Sequence, residues 1–118
     1  MKILIDPTHT QTTTLEIERR SFEPNSSKFS FAHAQRDCGA GLIQKLKHLE
    51  LSAKDQLKVI VGPGNFTAVR TACLVGNALN FLTGCRLFTR RKTEKNFKKV
   101  TQLEPYYAQA PSITPAKQ

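Results

Sequence analysis

Cysteine is scarce in this chain of 118 residues: there are 3, at Cys38, Cys73 and Cys85. The count is odd and no CxxC spacing occurs, which excludes a disulfide framework and a cysteine-based zinc site. The thiols read as structural groups of a protein kept in a reducing compartment. Apolar stretches are short as well. MKILID at the start is too brief for a secretory signal, and Thr71 to Cys85 is too short and too polar to span a bilayer. A soluble, cytoplasmic protein of one small domain is the expectation. Acids are few too, with 9 Asp and Glu against 18 Lys and Arg, for a net charge of +9. That balance favours acidic partners, nucleic acid first and an acidic protein surface second.

The periodicity is clearest in the first 88 residues. Lys2–Asp6 (KILID) is a short apolar run and Thr12–Glu18 (TTTLEIE) alternates with β-branched residues, so both predict strands. Pro7 closes the first, and PTHTQT makes a hairpin connection. Lys28–Phe31 (KFSF) alternates as a third strand. Leu42, Ile43, Leu46 and Leu49 then stand at helical spacing within a helix predicted over 33–49, weakened in its first half by Gly39 and Gly41. Leu57–Val61 predicts a strand and 65–82 a second helix stopped at Gly84. Cys85–Phe88 predicts a last strand. The order β-β-β-α-β-α-β predicts an α/β fold, a mixed sheet with two packed helices. From Thr89 onward a basic run (Arg90, Arg91, Lys92, Lys95, Lys98, Lys99) leads into a proline-containing tail, read as extended or partly disordered. The expected division is a folded unit over 1–88 and a linker with tail over 89–118. Either Tyr106, Tyr107 and Ile113 fold back on the sheet or they dock on a partner.

The stretch VIVGPGNFTAVRTACL (59–74) holds the main question. Gly62-Pro63-Gly64 lacks the lysine of a phosphate-binding P-loop and the third glycine of a dinucleotide fingerprint, and Pro63 removes one N–H donor. A structural turn is the expectation there, with anion binding at the following helix N-terminus as the alternative. The helix itself is apolar nearly all round, and Arg70 is its lone charge. On a wheel at about 100° per residue, Phe66, Val69 and Cys73 share one side, while Ala68, Ala72, Gly76 and Leu79 share the opposite one. The first side is expected to cover the sheet. The second, with small residues spaced by four, is expected either to pack on the first helix or to receive a partner's helix.

These residues resemble a known family. GPGNFTAVRTACLVGNAL (62–79) resembles the GPGSFTGLRIG segment of the TsaB (YeaZ-like) proteins. MKILIDPTHT resembles their first strand, which ends in IDTST, and His33 with Gln35 resembles the HxQ that opens their first helix. The likeness runs over about residues 1–88, and the tail EPYYAQAPSIT faintly resembles theirs. Asn65 stands where they have serine, Ala68 where they have glycine, and Pro7 where they have threonine. Their second, similar subdomain has no counterpart here. The resemblance implies a single actin-like, ribonuclease-H-like subdomain. It also implies a non-catalytic subunit, without cofactor or metal, of the machinery that forms threonylcarbamoyladenosine in tRNA. Such a subunit binds a TsaD-like transferase, with a TsaE-like ATPase joining the assembly, and a homodimer through the same helices competes. The partner face is then His33, Asp37, Gly41, Arg70, Ala72, Gly76 and Leu79.

Other readings remain open. Asp6 at a strand end is either a turn acid or, with the Gly62–Gly64 turn, part of a residual nucleotide site. His9, His33 and His48 show no metal spacing, and no nucleophile triad stands out. The run from Arg90 to Lys99 is a solvated linker, an acidic-protein contact or a nucleic-acid contact. The last of these makes a small tRNA-binding module the alternative function.

Overall fold

The computed structural model describes residues 1–19, 25–33 and 38–107, without the side chains of Asn25 and Cys38. Eight elements follow in order: β1 (Lys2–Asp6), β2 (Thr12–Arg19), β3 (Asn25–Ala32), α1 (Cys38–Leu46), β4 (Gln56–Ile60), α2 (Phe66–Thr83), β5 (Arg86–Arg90) and β6 (Lys98–Val100). The strands form one six-stranded sheet in the order β3-β2-β1-β4-β5-β6. β1 is antiparallel to β2 and β2 to β3, while β1, β4 and β5 run parallel and β6 returns antiparallel. This is the mixed α/β subdomain expected, with one strand added at an edge.

Strand alternation sorts the sheet into two faces. Ile3, Ile5, Leu15, Ile17, Leu57, Val59 and Leu87 are all buried and share one core with Leu42 and Leu46 of α1 and with Ala72, Cys73 and Val75 of α2. Each strand contributes only one parity to that core, so both helices lie on the same face. Among the described residues no helix lies on the other, where the register places Leu4 between Glu16 and Lys58, and Lys58 beside Phe88.

Asn65 caps α2, its Oδ1 accepting from the N–H of Ala68 at 2.9 Å, so the position occupied by serine in the resembling motif keeps its capping chemistry. Gly84 ends the helix in the left-handed conformation, φ 74°, and donates its N–H to the carbonyl of Asn80. The first helix is shorter than its periodicity suggests. It covers Cys38–Leu46, and 34–37, with Ala34, Gln35 and Asp37, lie outside the described residues.

The segment from Thr89 differs most from expectation. β5 continues to Arg90, and Lys98–Val100 pair with Leu87–Thr89 as β6 instead of forming a solvated linker. Beyond β6, Leu103 is buried, 2% exposed, inside the core. The side-chain amide of Asn77 grips its backbone at both ends: Nδ2 donates to the Leu103 carbonyl at 3.0 Å and Oδ1 accepts its N–H at 2.7 Å. Tyr106 then donates its N–H to the Val61 carbonyl, and the Tyr107 ring stacks on Phe66 with centroids 4.6 Å apart. Both tyrosines therefore fold back onto the domain, and a boundary at 88 does not divide packed from unpacked chain. Ile113 lies outside the described residues.

Candidate functional site

α2 is divided into a buried and an open half, and the division corrects the wheel reading. Ala68, Val69, Ala72, Cys73, Val75 and Gly76 are buried. Phe66, Leu74, Phe81 and Leu82 are exposed, at 50%, 60%, 87% and 75%. Ala72 and Gly76 were expected to meet a partner, yet they face this chain's own core. Phe66 was expected on the sheet, yet it stands outside under Tyr107. The cause is size. Small residues let the helix axis approach the sheet closely, and Leu103 fills the space over Gly76, where a Cβ would run into its Cδ1 and touch Leu57 and Val59. The bulky residues are left outward. The signal was readable, because Phe66, Leu74 and Phe81 also share one arc of the wheel.

The open half makes an apolar stripe with Arg70, exposed, as the charge within it. Ile43 of α1, 53% exposed, extends the stripe onto the neighbouring helix. The two helices approach closely where Gly39 meets Thr71: a Cβ on that glycine would lie 2.9 Å from Thr71 Cγ2. Among the described residues, all the large exposed apolar side chains lie on these two helices.

The remaining expected partner residues are placed differently. His33 Nε2 bonds Thr13 Oγ1 at 2.9 Å, and its N–H donates to the Gln11 carbonyl, so it fixes the end of β3. Gly41 makes room for the Phe31 ring, and Leu79 packs at the rim of the core. Asp37 lies outside the described residues.

This chain's own backbone packs against the Gly62-Pro63-Gly64 turn, in which Gly62 is buried and Gly64 exposed. Gly62 has φ 122° and its Cα side abuts the Tyr106 carbonyl, while Gly64 sits against the backbone of Thr8. The Lys92 N–H donates to the Gly62 carbonyl at 2.8 Å. Backbone therefore occupies the close approach that phosphate-binding glycines provide for a ligand. Asp6 accepts from the N–H and hydroxyl of Thr8 and faces His9 Nε2 at 3.3 Å, the geometry of a turn acid. His48 is exposed. Among the described residues no three His, Cys, Asp or Glu come together as metal ligands.

Cys73 and Cys85 are free and buried, and burial pushes the Cys73 thiol up to about 12. A thiol held in its protonated form is a poor nucleophile. Neither residue should be alkylated by iodoacetamide in the native protein at pH 8, and both should label once urea unfolds it. Mass spectrometry of the product reads the outcome directly.

The basic residues separate in space. Arg90 and Lys99 stand on the open face of the sheet, and Lys98 on the side of the core. The Arg91 guanidinium lies 4.0 Å from the Tyr106 ring centroid. Lys92 Nζ reaches the Thr8 carbonyl at 3.4 Å, and Lys95 is exposed. Among the described residues no helix is long and apolar enough to cross a membrane.

No family model matches the chain, and no curated protein matches it. Solved structures do. YeaZ from Pseudomonas aeruginosa superposes with a TM-score of 0.54 at 23% identity, over 76% of this chain and 43% of its own. A crystal structure of an uncharacterised protein with similarity to peptidase YeaZ, also from Pseudomonas aeruginosa, gives a TM-score of 0.54 at 23% identity, over 76% of this chain and 42% of its own. The chain thus spans less than half the length of these neighbours, and what it shares with them is the fold: a YeaZ-like α/β subdomain with a mixed six-stranded sheet.

Proposed function

We propose that the protein is a non-catalytic scaffold subunit that docks α1 and α2 on a TsaD-like transferase and supports threonylcarbamoyladenosine formation in tRNA. The observation that carries the reading is the apolar stripe of Ile43, Phe66, Leu74, Phe81 and Leu82. A monomer this small gains nothing by holding Phe81 in water, and such patches mark protein contacts. Two helices side by side offer ridges and grooves for a helical partner. Arg70 sits within the stripe, where a partner carboxylate would fix the register and a wrong partner would leave a buried charge unpaired. The fold likeness to YeaZ and the GPGNF motif both support the choice of partner. A subunit of this kind acts by contacting one state of the transferase better than another. A TsaE-like ATPase would join the same assembly, and a homodimer through the stripe would compete with it.

Light scattering on a sizing column tests this, with the protein alone and mixed with the TsaD-like protein of its own source. The expected result is a mixed species whose mass is the sum of both chains. Separate elution at micromolar concentrations overturns the proposal.

A further inference from the structure

The face of the sheet opposite the helices is not used by the proposed scaffold role, and its two halves differ in charge. On β1 and β2 the open positions carry both signs: Lys2 stands opposite Glu18, Leu4 opposite Glu16, and Asp6 opposite Thr14. On β4, β5 and β6 the register places Gln56 beside Arg86, Lys58 beside Phe88 beside Lys99, and Ile60, which is buried and so closes that end of the face, beside Arg90. Every charge in that second half is positive. Phe97, just before β6, completes it: Lys58 Nζ lies 5.2 Å and Arg90 Cζ 5.1 Å from its ring centroid. Arg90 is further held by Nη1, which donates to the carbonyls of Arg91, Lys92 and Glu94. Phe88 and Phe97 are both half-buried on this surface.

We infer that the open face of β4–β5–β6 is a binding platform for single-stranded RNA. Strands about 4.8 Å apart set Lys58, Phe88 and Lys99 side by side on a surface one nucleotide chain can follow. Lys58, Arg86, Arg90 and Lys99 neutralise phosphates. The Phe88 ring offers a flat face to unstacked bases, giving a combination of stacking platform and positive track used for single strands. A duplex gains little here, because its bases are already stacked and a flat sheet enters no groove. An acidic protein would satisfy the cations but would leave the Phe88 ring without a matching flat partner. Unpaired RNA loops are the natural source of such strands. The platform lies on the sheet and not in the tail, so Arg91, Lys92, Lys95 and Lys98 are secondary to Lys58 and Arg86, which the basic run does not contain.

The experiment is fluorescence anisotropy with a labelled 12-nucleotide oligouridine, the same strand annealed to its complement, and labelled polyglutamate, across a salt series. The single strand should bind at least about 10-fold tighter than duplex or polyglutamate. Four phosphate contacts at about −0.7 each predict a log–log salt slope near −2.8. Lys58→Ala with Lys99→Ala should reduce that slope by about 1.4. Phe88→Ala should weaken binding about 10-fold or more, from the lost stacking, and leave the slope unchanged. Circular dichroism checks that each variant is folded, and the lysine pair keeps the test open if Phe88→Ala is not. Equal binding of duplex and single strand, or polyglutamate as tight as RNA, overturns the platform. Leu74→Asp with Phe81→Asp leaves RNA binding intact, which separates this site from the helical one.

Discussion

Replacing Leu103 by alanine should lower the unfolding free energy by about 2–5 kcal/mol, the range for large-to-small changes in a packed core. Leu103 lies in a segment whose composition reads as tail, yet it is 2% exposed and seals the inner side of α2 over Gly76. Its loss opens a cavity between α2 and β4, beside Leu57 and Val59. The two hydrogen bonds from Asn77 hold the backbone there, so the site has little freedom to collapse. Urea denaturation followed by circular dichroism gives the number. A change within about 0.5 kcal/mol, typical of surface positions, would mean that the segment does not belong to the core.

The second large effect concerns binding. Leu74→Asp combined with Phe81→Asp should weaken the complex with the TsaD-like transferase at least about 100-fold while leaving the melting temperature unchanged. Both side chains are more than half exposed, so folding gains little from them. At an interface, a charge placed among desolvated apolar groups costs far more than the contact it replaces. Isothermal titration calorimetry reads the affinity and a thermal melt reads the fold. Unchanged affinity would place the interface elsewhere. Gly76→Glu is the wrong probe for this question, because it would strike Leu103 and unfold the subdomain before any partner is tested.

Much of the fold was legible. Alternation in TTTLEIE and the apolar run KILID marked the first two strands, and Asn65 and Gly84 bounded α2 to within a residue. The side of α2 that faces the sheet was misread, because a wheel ranks apolarity and ignores bulk. Ala72 and Gly76 are small enough to bring backbones together, and the nearest surface was this chain's own core. β6 escaped notice because an edge strand of three residues, KKV, needs no alternation when only Val100 touches the core. Leu103 stood alone between Gln102 and Glu104 with no period to reveal it. The stripe of Leu74 and Phe81 was visible in principle, since the largest side chains shared one arc. The open sheet face was not: Lys58, Phe88 and Lys99 come from three separate segments, and only strand register brings them together.

The grip of Asn77 on Leu103 also sets a timetable. During synthesis, α2 is complete as sequence by Thr83, but the groove over Gly76 stays open until residue 103 has emerged and turned back. Until then the nascent chain presents apolar surface on both sides of one helix, inward and outward. Such surface is what holdase chaperones recognise and what drives premature association between chains. The seating of α2 over Gly76 therefore waits on residue 103, and a ribosome-stalled chain released before residue 103 should stay bound to chaperone while one released after 107 should not.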